Sequence, residues 1–315
     1  MELMKTASSE YSFSKAELKI LEEIAKGKHD LSSIETTLSV SPSLLSYNLQ
    51  KLQTKGLART VKKNNKKQVF IADFKHAIVL RDLILTYDYV DWDNILSGKA
   101  LRILFELLEN NKNLATAPKS TLWRYRRNLK ARGIITPTNA INPQFNLLIE
   151  FLREYQKFFA NKLARTFSEN SAILWQKDME FLIRVPNDTK PSMPNFFKTA
   201  LSVFPQYDLP LISEFDYYFY STNKKTLKLE DVLLHTLLIE PTNVRYKTYA
   251  LLLLKKTCQQ IDKTYLLQAA NRFGLANEIT KLFQFLDTHV QPKDHSLPTW
   301  EEFITKAKDY LVTAE

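Results

Sequence analysis

The amino-acid sequence predicts an α+β protein that is mostly helical. Two segments rich in basic residues carry apolar residues at helical spacing, and the second segment repeats the pattern of the first. The C-terminal half adds short apolar and aromatic runs typical of strands, followed by a series of amphipathic helical patterns that ends in a helical bundle. From these observations we expect three domains, comprising residues 1–90, 91–167 and 168–315.

The excess positive charge of the chain lies in its first half. The 315 residues carry a net charge of +10. Residues 1–165 contain 27 basic and 16 acidic residues, whereas residues 166–315 contain 17 and 18. A basic segment beside a nearly neutral one predicts a polyanion-binding module joined to a partner-binding or structural module. The alternative interpretation is a generally basic, solvated surface.

Cysteine content and hydropathy indicate where the chain resides. Cys258 is the single cysteine, so no disulfide can form within the chain and a zinc site built on cysteines is excluded. The N-terminus lacks the apolar core of a signal peptide, and no run approaches the ~18 apolar residues that span a bilayer. We therefore expect a soluble, cytoplasmic protein without membrane contact.

Residues 41–68 have the pattern of a helix, a stop and a basic hairpin. Ser41 and Pro42 predict the start of the helix, because serine caps free amides and proline needs no amide in the first turn. Gly56 predicts its end, because glycine readily takes the left-handed cap conformation. Leucines 45, 49 and 52 give the helix one buried face. Two strands, 57–62 and 68–72, are expected around a turn at Asn64 and Asn65.

Two shorter helices are predicted before this segment. Ser14 with Glu17, and Ser32 with Glu35, have the spacing of capping boxes that open helices. A tight turn at residues 39–40 then joins the second helix to the third. Three such helices form a helix-turn-helix, and the hairpin makes it a winged helix-turn-helix, whose third helix can enter a major groove. The alternative is a bare three-helix bundle.

A longer motif makes this interpretation more specific. The sequence S-x-x-L-L-S-Y-x-L-x-x-L-x-x-K-G-L-A-R, beginning at Ser41, resembles the recognition helix and first wing strand of MarR- and ArsR-type winged-helix regulators. The resemblance covers residues 14–73, about a fifth of the chain. It implies a winged-helix fold and a DNA-binding mode.

The third helix and the wing contain the candidate DNA-binding residues. Polar side chains off the apolar face are candidates to contact base edges, namely Ser43, Ser46, Tyr47 and Gln50. Basic side chains are candidates to bind phosphates, namely Lys51, Lys55, Arg59, Lys62, Lys63, Lys66 and Lys67.

The same pattern recurs from Ser97 onward. Residues 121–133 align with residues 44–56 at an offset of 77, with two leucines and the terminal glycine retained. The second copy has six fewer residues between its first helix and this helix than the first copy has, so the middle helix of the second copy is expected to be short or lost. Pro137 interrupts the wing of the second copy. We interpret residues 91–167 as a second, degenerate winged helix plus a long helix. Trp123 and Tyr125 are expected in its core, and stacking by their rings is the alternative.

Basic residues of the second copy extend the candidate interface. They are Lys119, Arg124, Arg127 and Lys130. Two arrangements remain open: both basic helices follow successive grooves of DNA, or one reads DNA while the other packs in a dimer.

A long helix is predicted over residues 145–167. Leu148, Leu152, Tyr155, Phe159 and Leu163 form an apolar stripe along it. The resemblance to MarR-like proteins implies that such a helix builds a homodimer interface. Packing of the stripe on the C-terminal domain is the alternative.

The C-terminal half changes character. Strands are predicted at 172–176 and 179–185, and helices from Leu229 onward. The aromatic run Phe215–Tyr220 is expected in the core rather than around a ligand. The arrangement is loosely similar to the C-terminal domains that follow winged helices in AbiEi-like antitoxins.

The sequence contains few candidates for catalysis. Its five glycines form no phosphate-binding loop, and its five histidines are dispersed. His76 is expected at the surface or the edge of the core, and His235 as a satisfied helix histidine. Glu214 and Asp216 are the carboxylates that suggest a metal-dependent nuclease, but no partner lysine follows them closely. We therefore expect no enzyme activity, no cofactor and no metal.

These observations favour a sequence-specific, dimeric transcriptional regulator that binds double-stranded DNA, acts as a repressor and carries an effector or protein-partner domain at its C-terminus. One alternative is an antitoxin whose C-terminal domain binds a toxin while the winged helix regulates its own operon. Another is an enzyme acting on nucleic acid, and RNA binding is the remaining alternative.

Overall fold

The computed structural model describes residues 11–63, 66–108, 119–187 and 193–313, with Lys119 described for its backbone alone. The fold is α+β and mostly helical, with two small antiparallel sheets among these residues. Residues 1–159 form one compact unit and residues 160–315 a second. Both of the N-terminal domains expected from the sequence have most of their length in the first unit.

From residue 11 onward, the described part of the first unit contains in order three helices, a hairpin and a fourth helix. Their bounds are α1 Lys15–Ala25, α2 Leu31–Leu38, α3 Pro42–Thr54, β1 Ala58–Lys63, β2 Lys66–Ile71 and α4 Lys75–Thr86.

The helix starts follow local capping chemistry, with one correction. Ser14 and Glu17 form the expected capping box of α1, and Ser41 caps α3 with Pro42 in its first turn. The expected capping box at Ser32 is wrong. Asp30 caps α2 instead, because its carboxylate accepts the amide of Ser33 and so satisfies a free donor of the first turn.

The hairpin pairs β1 with β2 in a continuous antiparallel register from Ala58–Ile71 to Lys63–Lys66. The expected turn at residues 64–65 lies outside the described residues. A third segment joins its edge between α1 and α2: the amide of Val69 donates to the carbonyl of His29, and Asp30 bridges to Gln68. The hairpin is thereby held against the three helices.

The second half of this unit contains α5 Trp92–Ile95, α6 Lys99–Leu108, α7 Lys119–Ala131 and the first part of α8 Asn146–Phe167, which continues into the second unit. Helix α7 has the bounds of α3 shifted by 77 residues at both ends. The hydrogen bonds that close the two helices also match. Leu57 donates to Leu52 in the first copy and Ile134 to Leu129 in the second, at 2.9 and 3.0 Å.

The second copy has a shorter return segment than the first. Ala72 donates to the carbonyl of Leu57, which closes a hairpin of fourteen residues, whereas Asn142 donates to that of Ile134 after seven. A single bridge, Ile135 to Ile141, replaces the long ladder. The expected shortening of the middle helix concerns residues outside the described part of the chain.

The apolar stripe of α8 is buried within the single chain. Leu148, Leu152, Tyr155, Phe159 and Leu163 are all in the core. Tyr155 stacks on Phe13 at 5.3 Å and its hydroxyl donates to the carbonyl of Tyr11. The expectation that this stripe forms a dimer interface is therefore wrong, because its residues already have partners within the chain.

The second unit combines a four-stranded antiparallel sheet with helices. The strands are β3 Ala172–Lys177, β4 Glu180–Pro186, β5 Phe196–Lys198 and β6 Phe215–Tyr220, in the order β3-β4-β6-β5. The helices are α9 Leu229–Ile239, α10 Val244–Lys256, α11 Lys263–Phe273, α12 Ala276–Thr288 and α13 Trp300–Asp309. The two predicted strands and the helical patterns are confirmed. The aromatic run is strand β6, and residues 217–220 of it are buried as expected.

Candidate nucleic-acid interface

The outer face of α3 is polar and exposed. Ser43, Ser46, Tyr47 and Gln50 all face solvent, whereas the leucines at 45, 49 and 52 are buried. Tyr47 is 56% exposed, and the ammonium group of Lys51 lies 4.4 Å from its ring. The structure therefore brings the four candidate base-contacting residues together on one accessible face.

The C-terminal end of α3 is anchored in the core of the first unit. Gly56 has a φ of +65°, and a Cβ at this position would lie 2.5 Å from the ring of Phe158. His76 lies beside it and donates from Nε2 to the carbonyl of Lys55 at 2.9 Å. This close approach fixes the axial position of α3 relative to the core.

His76, expected at the surface or the edge of the core, is buried. Its ring packs 4.2 Å from that of Phe158 and 5.5 Å from that of Tyr155. Burial lowers the pKa of His76, because the charged imidazolium loses its hydration. The helical spacing of α4 did not reveal this, since the aromatic neighbours come from the distant α8.

Lys55 is not a phosphate ligand, which corrects the sequence prediction. Its side chain is 6% exposed, and its ammonium group pairs with the Glu17 carboxylate at 2.6 Å and donates to the carbonyl of Ser12. Because Glu17 also caps α1 through the amide of Ser14, this ion pair ties the end of α3 to the start of α1. A charge held in this way cannot reach DNA.

The hairpin presents the other predicted bases. Lys62, Lys63, Lys66 and Lys67 are exposed on β1 and β2. Arg59 is also exposed, although its guanidinium group pairs with Asp73 at 3.2 Å. Gln53, which the sequence analysis did not select, joins the helix to the hairpin by donating to the Thr60 hydroxyl at 2.9 Å.

Helix α7 presents a second basic face. Lys119 begins the helix, and the side chains of Arg124, Arg127 and Lys130 are exposed. The ammonium group of Lys130 donates to the carbonyl of Pro137 at 3.0 Å. The predicted bases of the second copy that the structure describes with side chains therefore share one accessible surface.

Trp123 is not in the core, contrary to expectation. It is 62% exposed, with the Arg127 guanidinium 5.3 Å from its ring, while Tyr125 is half-buried. The repeat contains the signal that locates it: at an offset of 77, Trp123 aligns with the exposed Ser46 and not with a buried leucine.

The second unit contains buried polar groups that serve its own packing. The Asp231 carboxylate accepts from the Lys224 ammonium at 2.5 Å and from the Tyr265 hydroxyl at 2.9 Å. Burial alone would raise the pKa of Asp231, but the Lys224 ammonium and the backbone amide of Lys228 hold it below its usual value. Among the described residues no group of three or more His, Cys, Asp or Glu is placed to hold a metal ion.

His235 is buried in the same unit. Its Nδ1 lies 2.9 Å from the Thr199 hydroxyl and its ring stacks 4.1 Å from Phe219. Burial lowers its pKa to about 3. Asp216, one of the two carboxylates considered for a nuclease, pairs with Lys198 at 2.9 Å, and Glu214 is exposed.

The C-terminal part of the chain is similar to a known protein family. Residues 193–312 match the family model described as HVO_2833_C, C-terminal, which covers most of the second unit and just over a third of the chain. No curated protein and no solved structure matches the chain. Within the described ranges, the helices are too short or too polar to cross a membrane.

Proposed function

We propose that this protein is a transcriptional regulator that binds double-stranded DNA through α3 and the β1–β2 hairpin. The observation that carries the proposal is the joint exposure of the polar face of α3 and the four hairpin lysines, in a segment, residues 41–68, without a single acidic residue. Phosphate groups are attracted to such a surface, and a major groove is wide enough to admit an α-helix.

The order of elements supports a winged helix-turn-helix. Helix α1, the short segment that pairs with β2, helices α2 and α3 and the hairpin follow one another in the order that this fold requires. The burial of Lys55 with Glu17 supports it further, because the ion pair holds α3 as a rigid part of the unit.

The two parts of the surface have different roles in this proposal. Tyr47 and Gln50 are long enough to reach base edges, and an amide such as that of Gln50 pairs well with adenine. The hairpin lysines bind the phosphate backbone, which contributes affinity and register but no sequence preference. Repression follows when the bound protein blocks a promoter.

The second unit is proposed as the effector- or partner-binding module. Its family match is confined to residues 193–312 and does not include the basic helices, which favours a module with a role of its own. An antitoxin, in which this module binds a toxin, is the second candidate. Co-purification of the tagged chain with the product of an adjacent gene would distinguish it from a regulator without a protein partner.

We also propose that the protein acts as a homodimer. With the stripe of α8 buried, the apolar surface of α4 is the candidate interface, because Ile78 and Leu85 are exposed on it. A contiguous exposed apolar patch is typical of a surface that a second protein covers.

A salt titration of duplex binding tests the DNA-binding proposal. We expect the affinity of the full chain to fall steeply with salt, and the slope to decrease by about 0.9 for each lysine that no longer neutralises a phosphate. Changing Lys62, Lys63, Lys66 and Lys67 together to alanine therefore reduces the slope by up to about 3.6 units.

A matched control removes the same charge from the second unit. Lys225, Lys263, Lys293 and Lys308 are exposed there, and their change to alanine is expected to leave the slope of the wild type nearly unchanged. Equal effects of the two quadruple variants would mean that the hairpin lysines contribute only to the net positive charge of the protein and not to a specific contact with DNA. Absence of duplex binding by the wild type at low salt would refute the proposal.

A further inference from the structure

Helix α7 exposes most of a tryptophan side chain, which is uncommon because tryptophan is usually largely buried. Trp123 is 62% exposed, while Leu122 and Leu129 on the same helix are buried. An indole has a large apolar face, and leaving it in water forgoes one of the largest burial energies available to a side chain. This exposure favours a ligand that covers the ring.

The surroundings of the ring are cationic and aromatic. The Arg127 guanidinium lies 5.3 Å from the ring centre of Trp123, and that of Arg124 lies 5.6 Å from the ring of Tyr125. A shallow hollow beside them is lined by Arg124, Tyr125, Arg127, Asn128 and Ala131. Residues 110–149 contain no acidic residue. The chemistry that complements this surface is a flat ring carried on a polyanion.

The repeat places this surface at the position that α3 uses for DNA in the proposed function. At an offset of 77, Trp123 aligns with Ser46, Arg124 with Tyr47 and Arg127 with Gln50. The short polar side chains of α3 suit the edges of paired bases. An indole offers one donor and no acceptor, so it reads base edges poorly, but its face stacks well on an unpaired base.

We propose that the outer face of α7 binds single-stranded DNA, with one unpaired base stacked on Trp123 and the adjacent phosphates bound by Arg124 and Arg127. This inference deepens the proposed function and rests on it for the nature of the ligand. A second copy of the chain complements the surface less well, because its second unit, residues 160–315, has 19 basic and 18 acidic residues and offers no acidic excess.

Binding of the full chain to labelled dT20 and to a 20-base-pair duplex, followed by fluorescence anisotropy, tests the inference. Stacking of one base is worth ~1–3 kcal/mol, so Trp123→Ala should weaken dT20 binding by about 5- to 150-fold. Trp123→Phe keeps an aromatic face and should retain most of the affinity. Tyr89→Ala removes another exposed aromatic residue of the first unit and should leave dT20 binding unchanged.

The outcomes separate this inference from the proposed function. If the hairpin quadruple variant loses duplex binding but keeps dT20 binding, two surfaces with different ligands are supported. Binding of dT20 without any duplex binding would leave the inference standing and refute the regulator proposal. Unchanged dT20 binding by Trp123→Ala, an equal loss for dT20 and duplex, or tighter binding of rU20 than of dT20 would each overturn the single-strand assignment.

Discussion

The lysines near the end of α3 show that a residue's role depends on its tertiary neighbours. Lys51 lies one turn before Lys55 and is partly exposed beside Tyr47. Lys55 is enclosed, and Glu17 and the Ser12 carbonyl replace its hydration. A buried charge is tolerated when it is paired and hydrogen-bonded, so this lysine contributes to the stability of the first unit rather than to DNA affinity.

We predict that Lys55→Met destabilises the protein by about 3–5 kcal/mol, because Glu17 is left buried without its partner. Urea unfolding measures the change. The double variant with Glu17→Gln should lose less, and Lys51→Met should change the free energy of unfolding by no more than about 0.5 kcal/mol. A Lys55→Met variant as stable as the wild type, with a reduced salt slope of DNA binding, would restore Lys55 to the interface.

Gln50 is the residue at which base recognition is best tested. Its change to alanine is expected to lower affinity for the preferred duplex by about 1–3 kcal/mol and to leave non-specific binding nearly unchanged. Selection of binding sites from a random duplex pool would identify the preferred sequence. Competition titrations with the selected and scrambled duplexes then measure the ratio of specific to non-specific affinity. A uniform loss on both duplexes would assign Gln50 to backbone contact.

At the scale of elements, the repeated helix and its cap are built in two different environments. Gly56 and Gly133 follow α3 and α7 and have φ values of +65° and +67°. The first glycine is in close contact with the Phe158 ring, whereas the nearest atom to a Cβ at Gly133 is the Gln144 amide nitrogen at 4.0 Å. The same local signal thus coincides with tight packing in one copy and with ordinary van der Waals contact in the other.

We predict that Gly133→Ala costs about 1–2 kcal/mol, the penalty of a left-handed conformation for a residue with a Cβ. Gly56→Ala carries that penalty and a further ~1–3 kcal/mol, because Phe158 must shift between the rings of Phe74 and His76. Thermal and urea unfolding of the two variants measure the difference. Equal destabilisation would mean that the Phe158 contact has no energetic weight.

At the scale of the whole molecule, charge and burial are divided unequally between the two units. Residues 1–159 contain 25 basic and 16 acidic residues, and the rest of the chain is nearly balanced. Each unit encloses a histidine whose pKa is lowered by burial, His76 in the first and His235 in the second. Such groups make the free energy of unfolding depend on pH, because at acidic pH the unfolded chain binds a proton that the folded chain does not bind.

The direction in which pH changes the stability follows from the pKa of His235, which is about 3 in the folded chain and ~6.5 in an unfolded chain. As the pH falls below ~6.5 the unfolded state binds a proton that the folded state excludes, so stability decreases by up to about 1.4 kcal/mol per pH unit. We expect His235→Asn to lose about 2 kcal/mol less than the wild type between pH ~7 and pH ~5. His295→Asn, at an exposed site, serves as the control. An unchanged pH slope in His235→Asn would show that the ring is hydrated.

The proposed homodimer is also a property of the whole molecule. Ile78→Asp with Leu85→Asp places charges on the exposed face of α4 and is expected to convert a dimer into a monomer. Light scattering after size-exclusion chromatography measures the mass. Leu311→Asp, an exposed apolar site in the second unit, should leave the mass unchanged. A wild-type mass of one chain at micromolar concentration would remove the dimer from the proposal.

Much of the fold could be predicted because it depends on contacts between residues close in the chain. The capping of α1 and α3, the glycine end of α3 and the hairpin of the first unit follow from serine, proline and glycine chemistry within a few residues. The start of α2 was missed because aspartate and serine compete for the same amides, and Asp30 itself forms the bridge to Gln68 of β2.

The candidate site was predictable in part for the same reason. Periodicity alone separates the leucine face of α3 from Ser46, Tyr47 and Gln50, because a helix turns through the same angle at every residue. It does not identify which side chain on the polar face is covered by a distant segment. Lys55 was misplaced, and the burial of His76 was not specified, because α1 and α8, remote in sequence, close over them.

Order and spacing of residues were enough to establish the class of fold, the position of the basic segments and the repeat at an offset of 77. Three other properties depend on the folded chain: Lys55 is an internal ion-pair partner, the stripe of α8 is core, and Trp123 faces solvent. They depend on which surfaces pack against each other, because packing removes a side chain from water. A side chain enclosed by the fold supports the structure, and only one left in water can bind a partner.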